Sequence, residues 1–169
     1  MTIRRARADE LETCRELERR AGEVFRGTAY SEVADAEPND IEIVRAAHAD
    51  GLLWVAAAGN DDPIGHLTAA EGPNGLLIAQ IDVLPAYQGR GFGRALIAAA
   101  EEEARRRGLP FIWLRTFRDI PWNAPFYAKL GFSEVEGGLF GVDDADVVHH
   151  EVESGLNPAA RVTMRKKLA

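Results

Sequence analysis

The chain has 169 residues, 46% hydrophobic and 28% charged, which suits one domain with a sizeable core and excludes disorder, collagen-like repeats and coiled coil. Twenty Lys+Arg against 27 Asp+Glu leave a net charge of −7, so no global positive field gathers phosphate backbones and no nucleic-acid partner is expected. Apolar runs fall far short of the ~20 residues that span a bilayer, and no apolar segment follows the arginines of Met1 to Ala8, so a cytoplasmic protein without a membrane partner is expected.

Thr2 to Ala6 has the length of an opening strand, and Asp9 introduces a helical pattern with Leu11, Cys14, Leu17, Ala21 and Val24/Phe25 on one face. Cys14 is the single cysteine, which excludes an internal disulfide and a Cys-x-x-Cys redox pair. After a polar stretch from Ser31 to Asn39, Asp40 caps a second helix that ends before Gly51. Leu52 to Ala58, Ile64 to Ala70 and Leu76 to Val83 are strand-length apolar runs joined by Gly59 to Pro63 and by Gly72 to Gly75, an antiparallel meander. From Gly93 the spacing becomes helical through Leu96, Ile97, Ala100 and Ala104, with Arg105, Arg106 and Arg107 where the dipole favours positive charge.

Phe111 to Phe117 reads as a buried strand, Pro121 as the first turn of a short helix through Leu130, and Phe132 to Val135 as another strand. Ala145 to Ser154 reads as a helix and Arg161 to Lys166 as a final strand. The whole is α/β (α+β), a mixed sheet with helices on both faces in one domain over residues 1–169.

The most informative segment runs from Ile81 through Asp82, Val83, Gln88, Gly89, Arg90, Gly91, Phe92, Gly93 and Arg94, a strand entering a helix by a glycine-rich turn. Glycines let backbone approach a phosphate, free N–H groups of the first helical turn point at it, and the helix dipole adds partial positive charge. Arg90 and Arg94 add charge-assisted contacts, so a pyrophosphate is the natural guest. The spacing is not that of the dinucleotide fingerprint, and the next strand supplies no acid for a ribose. Nor does Gly-Lys-Ser/Thr follow, which excludes a nucleoside triphosphatase loop.

Gln88-Gly89-Arg90-Gly91-Phe92-Gly93 resembles the Q/R-x-x-G-x-G/A signature of the GNAT superfamily of acetyltransferases. Phe126-Tyr127-Ala128-Lys129-Leu130-Gly131-Phe132 is similar to that family's closing helix, and the two motifs stand in its order and separation. The resemblance covers about Asp9 to Lys166 and implies a mostly antiparallel sheet that splays between its fourth and fifth strands. It implies acetyl-CoA as co-substrate, pantetheine pairing along Ile81 to Val83, and the diphosphate on the amides from Gln88 to Arg94. It also implies direct acetyl transfer to an acceptor, usually an amine, with Tyr127 as general acid. That role is chemically apt, because a phenol of pKa ~10 stays protonated at neutral pH while a departing thiolate, whose thiol has pKa ~8.5, accepts a proton readily. An amphipathic core aromatic is the alternative reading of Tyr127.

Ile120 to Tyr127 departs from the commonest family pattern, placing Asn123 four residues before Tyr127 on a shared helical face. Asn123 either orients the cofactor or the tyrosine or hydrogen-bonds local backbone, and Asn123, Phe126 and Tyr127 are expected among the cofactor-binding residues. Trp122 is either a lid over the acceptor or a packing residue.

An alkylammonium of pKa ~10.4 is uncharged about once in 2,500 molecules at pH 7, a cost of ~4.6 kcal/mol, so such an acceptor benefits from a proton sink. Relatives often place that acid on the strand before the glycines, where this chain has Leu77 and Ala79. Asp82 and Gln80 lie on the opposite strand phase unless a bulge re-aims them; Asp82 is retained as candidate base or relay. His66 and Glu71 are read as surface or packing residues. Adjacent His149 and His150 project about 100° apart on a helix and do not chelate together, so with Glu151 and Glu153 they read as a solvated face and no metal is expected. Arg4, Arg5 and Arg7 read as solvated strand ends.

Phe25, Tyr30 and Trp122 offer apolar surface for an acceptor, while Glu18, Glu23 and Asp35 can attract a cation. The expected activity is acetyl-CoA-dependent N-acetyl transfer to a primary amine of a small molecule or peptide. The alternatives are a CoA-binding regulatory module without turnover, or an acyltransferase with another acyl donor or a hydroxyl acceptor. Oligomeric state stays open, a homodimer among the options.

Overall fold

The computed structural model describes the whole chain apart from Pro73, residues 136–148, His150 and Ser154. Its elements are β1 (Thr2–Arg5), α1 (Leu11–Ala21), α2 (Ile41–Ala49), β2 (Leu53–Ala57), β3 (Pro63–Gly72), β4 (Gly75–Val83), α3 (Phe92–Arg106), β5 (Phe111–Phe117), α4 (Ala124–Ala128), β6 (Ser133–Glu134) and β7 (Arg161–Lys167). The strands form one seven-stranded sheet in the order β1-β2-β3-β4-β5-β7-β6. β2 pairs antiparallel with β1 and β3, and β7 pairs antiparallel with β5 and β6. The β4–β5 pair is parallel and its register covers Leu76↔Ile112 to Ile78↔Leu114, so the ladder stops there while β4 continues to Val83. This is the expected mixed, mostly antiparallel sheet.

By its packing the chain forms two compact units, residues 1–70 with 80–100 and residues 71–79 with 101–169. In the first, periodicity becomes burial: α1 buries Cys14, Leu17 and Ala21, α2 buries Val44 and Ala47, and every residue of β2 is buried. Ala6, Cys14, Val44, Ala47, Leu53 and Val55 form one apolar cluster flanked by Leu11 and Ile41. Burial pushes the Cys14 thiol up to about 12, which leaves it inert as a nucleophile. Asp40 accepts the Glu42 N–H at 2.8 Å, the cap its position foretells, worth ~1 kcal/mol.

Arg4 and Arg7 are not solvated strand ends. Arg4 grips both oxygens of the buried Glu10 carboxylate at 2.8 Å, and Arg4 and Arg7 both reach Asp61, at 2.8 and 2.6 Å. Asp61 stands in the turn between β2 and β3 with φ 67°, so the arginines tie β1 to that turn.

In the second unit β5 pairs along its full length with β7, from Phe111↔Lys167 to Phe117↔Arg161. Arg165 lies over the rings of Phe111 and Trp113, 4.4 and 5.1 Å from their centres. The arginines closing α3 do more than face the dipole, since Arg105 binds Glu101, Arg106 and Arg107 bind Glu103, and Arg107 reaches Glu71 at 2.8 Å. Glu71 is thereby an ion-pair partner.

The short helix begins at Ala124, later than expected. Pro125, not Pro121, occupies its first turn, because the chain first makes a separate turn in which Asn123 N–H bonds the Ile120 carbonyl at 2.9 Å. Most of the helix expected over residues 145–154, and part of the turn from Gly72 to Gly75, lie outside the described residues. Glu151 is described and departs from the solvated-face reading. It is buried, accepts from Arg115 at 2.6 and 2.8 Å, and accepts from Arg161 at 2.8 Å.

Burial alone would raise Glu151, but the hydrogen bonds and charges of Arg115 and Arg161 outweigh it and hold the carboxyl below its usual range. A depressed carboxylate contributes stability that is present above its unfolded pKa, ~4.3, and is lost as pH falls through the lower folded value. Glu151→Gln should therefore cost about 3–5 kcal/mol at neutral pH, the usual result of stripping one partner from a buried pair. Urea unfolding at pH 7 and at pH 4 measures this, and the gap between variant and wild type should narrow at the lower pH.

Candidate active site

The glycine loop follows directly from the end of β4. Leu84 is buried and its N–H bonds the Ile64 carbonyl at 2.9 Å, fixing the strand end. A single turn over Pro85–Tyr87 reverses the chain, and the Gln88 side chain donates back to the Val83 carbonyl at 3.0 Å. Gly89 and Gly91 have φ of 72° and 87°, the left-handed region that L residues avoid. A Cβ built on either meets no atom within 4 Å. Conformation, not crowding, demands glycine there, and the space beside the loop is open.

The first bond along α3 runs from Ala95 N–H to the Gly91 carbonyl at 3.0 Å. The N–H groups of Phe92, Gly93 and Arg94 precede it and have no acceptor within the helix. Gln88 to Gly91 and Arg94 are exposed, while Phe92 and Gly93 are half-buried. The Arg90 guanidinium stacks over the Tyr87 ring at 5.5 Å, and Tyr87 meets Phe92 edge-on at 6.2 Å. First-turn amides without an acceptor inside the helix, beside two exposed arginines, make a place suited to an anion. Ile81, Asp82 and Val83 lie half-buried on β4, past the last residue paired with β5.

Strand alternation puts Gln80 and Asp82 on one side of β4 and Leu77 and Ala79 on the other. The side holding Asp82 is not vacant. His66 on β3 is wholly buried, and its Nε2 lies 3.4 Å from Asp82 Oδ2. That approach lacks hydrogen-bonding geometry, so among the described residues His66 Nε2 is buried without a hydrogen-bond partner. Its Nδ1 faces Thr68 Oγ1 at 3.3 Å, and Gln80 Nε2 donates to Asp82 Oδ2 at 2.8 Å. His66, read from sequence as surface or packing, is thus an interior residue facing the one retained acid of β4.

Glu18 on α1 completes this group, its carboxylate, His66 and Asp82 presenting polar atoms all within 4.8 Å of one another. Its Oε1 accepts the backbone N–H of Asn39 at 3.1 Å and the Asn39 side-chain amide at 3.2 Å. Burial, then the charge of Asp82, pushes Glu18 up to about 7 against the opposing pull of His66 and Asn39. Glu23 and Asp35, the other acids expected to attract a cation, are engaged by Arg26 at 2.7 Å each. Phe25 and Tyr30 are half-buried.

In the second unit Tyr127 is buried at 7% exposure, its ring 5.3 Å from Phe126 and 5.9 Å from Phe132. Its carbonyl accepts from Leu130 and Phe132 N–H at 2.9 and 3.2 Å, which closes the α4 turn beneath the ring. Asn123 precedes α4 and receives the N–H groups of Phe126 and Tyr127 on its backbone carbonyl, at 2.8 and 3.1 Å, with no cap bond from its side chain. Trp122 is 40% exposed.

Residues 11–132 match the acetyltransferase (GNAT) family. Streptothricin acetyltransferase of Streptomyces lavendulae is 32% identical over 90 residues, 50% of this chain and 46% of that one, so the chain spans about half the length of this relative. The ribosomal-protein-S18-alanine N-acetyltransferase of Escherichia coli has the same fold, with TM-score 0.68 at 17% identity over 99% of this chain and 94% of that one. PaiA N-acetyltransferase of Thermoplasma acidophilum, in complex with coenzyme A, gives TM-score 0.67 at 18% identity over 98% of each chain. The chain belongs to the acetyltransferase (GNAT) family.

Proposed function

We propose that residues 1–169 are one N-acetyltransferase domain that moves the acetyl group of acetyl-CoA directly to a primary amine of a small molecule or peptide. The observation that carries this reading is the glycine loop, whose two left-handed glycines open onto free space beside the first-turn amides of α3. Those amides with Arg90 and Arg94 would hold the diphosphate. Ile81, Asp82 and Val83, beyond the β5 ladder, keep backbone groups for the pantetheine arm. A relative that is an acetyltransferase and a fold neighbour crystallised with coenzyme A support the same donor.

The amine attacks the thioester carbonyl, and the departing thiolate needs a proton. Tyr127 is the proposed donor, with Phe126 and Phe132 fixing its ring. Asp82 is the proposed base or relay, steadied by Gln80. Cys14 offers no covalent route, being buried with its thiol raised to about 12.

Gly91→Glu places a carboxylate in the anion site and should weaken CoA binding at least about tenfold, ~1.4 kcal/mol. Because glutamate at φ 87° also strains the loop, the double variant Arg90→Ala/Arg94→Ala, which keeps both glycines, should weaken binding in the same direction. Calorimetry with CoA measures both, and wild-type affinity in both would place the diphosphate elsewhere.

Tyr127→Phe keeps the ring and removes the proton. Its kcat should fall roughly 10²–10⁴-fold with CoA affinity unchanged. Single-turnover acetylation reads the chemical step, and an undiminished rate would leave Tyr127 a packing or cofactor-contact residue.

A further inference from the structure

We infer that Glu18, His66 and Asp82 form the seat of the acceptor's ammonium group, with Glu18 taking its proton. The inference rests on the acetyltransferase reading and assigns the proton sink to a residue from α1.

The first observation is the orphaned nitrogen. His66 is wholly buried, its Nδ1 faces Thr68, and its Nε2 has no hydrogen-bond partner among the described residues. Buried polar atoms are normally satisfied, and one left unmade at the edge of a carboxylate pair points to an absent donor. The second observation is spacing. An ammonium donates three charge-assisted bonds of ~2.8 Å at tetrahedral angles, so its acceptors stand up to about 4.6 Å apart. The polar atoms of Glu18, His66 and Asp82 all lie within 4.8 Å of one another. One ammonium can therefore meet two carboxylates and the imidazole nitrogen together.

The surroundings hold these acceptors still. Gln80 donates to Asp82, and Asn39 donates to Glu18 from both backbone and side chain. Arg15, one turn before Glu18, is turned to the Asn39 carbonyl at 2.9 Å and to Glu12. The titratable groups facing Glu18 are Asp82 from β4 and His66 from β3. Two acids so close disfavour the second negative charge until a cation arrives.

The proton balance is complete. The bound ammonium gives one proton to the Glu18 carboxylate, and the freed lone pair attacks the thioester carbon. The C–N bond forms and the C–S bond breaks. The amide nitrogen releases its second proton as the CoA thiolate takes up one, and Glu18 returns its proton to solvent. Glu18, raised to about 7, accepts from an amine of pKa ~10.4 far more readily than a carboxyl at ~4.3 would. Asp82, steadied by Gln80, stands beside it as the relay.

The test uses the full chain, with Glu18→Gln, which keeps an acceptor oxygen for Asn39, and Asp82→Asn as an independent second variant. Without CoA, propylammonium should shift the His66 imidazole NMR signals of wild type and not those of either variant, while propanol shifts neither. With acetyl-CoA and a panel of primary amines, Glu18→Gln should lose roughly 10²-fold or more in kcat/KM, with CoA affinity unchanged. The limb of the pH profile near 7 should vanish in Glu18→Gln. Wild-type kcat/KM and pH profile in Glu18→Gln would overturn the inference while leaving the acetyltransferase reading intact. A His66 response to Zn²⁺ but not to propylammonium would overturn it in favour of a metal seat. Failure of wild type to bind CoA or acetylate any amine would instead defeat the reading itself, and the propylammonium titration would still decide whether the seat exists.

Discussion

The close approach of β3 and β4 at Gly65 is the constraint on which the Glu18, His66 and Asp82 group depends. A Cβ at that position would stand 2.5 Å from the Asp82 carbonyl and 3.2 Å from Val83 Cα, both backbone atoms that cannot swing aside. Glycine lets the strands close, and the next residue along β3 is His66, whose ring then reaches the Asp82 side chain. Just past the end of β4, Leu84 bonds Ile64, and the chain leaves the sheet for the glycine loop. One missing methyl group thus sets both the acid–imidazole contact and the point from which the loop departs.

Glycine serves opposite ends at the two places. At Gly65 space requires it, because backbone would collide with any side chain. At Gly89 and Gly91 space is free and the dihedral angles require it. A crowded glycine builds the protein's own packing, whereas an uncrowded glycine in left-handed conformation leaves room for something else to lie against the backbone. The second pattern recurs at Gly27, Gly51 and Gly108, and what sets Gly89 and Gly91 apart is their place at the first turn of α3, where helix amides lie beside the open backbone.

Local rules made much of this fold legible in the sequence. Strand-length apolar runs bounded by turn residues marked the strands, helical spacing marked α1 and α3, and the Asp40 cap, the glycine loop and the whole of β5 could be read from adjacent residues. What escaped were pairings between residues distant in sequence. Nothing local in Glu18, on a helix rich in charge, shows that Asn39 holds it toward His66 and Asp82. Glu151 sits between a histidine pair and Glu153 in a polar run, yet Arg115 and Arg161 draw it inside. The α4 boundary moved because both Pro121 and Pro125 suit a first helical turn and only tertiary context chooses between them.

Three carboxylates show why Glu18 belongs to a site rather than to the scaffold. Glu10 and Glu151 are buried against arginines, whose hydrogen bonds and charge outweigh desolvation and hold both carboxyls below their usual range. Such pairs are electrically closed and serve to fasten β1 to a turn or β5 to β7. Glu18 undergoes the same loss of water, but its hydrogen bonds come from the neutral amides of Asn39 and its neighbour Asp82 carries like charge. Burial and repulsion then act together, raising the carboxyl to about 7. An arginine in place of Asn39 would relieve that penalty, as Arg4 does for Glu10. Leaving the negative charge open costs stability and gains a place where an incoming cation is bound and a proton exchanged near neutral pH.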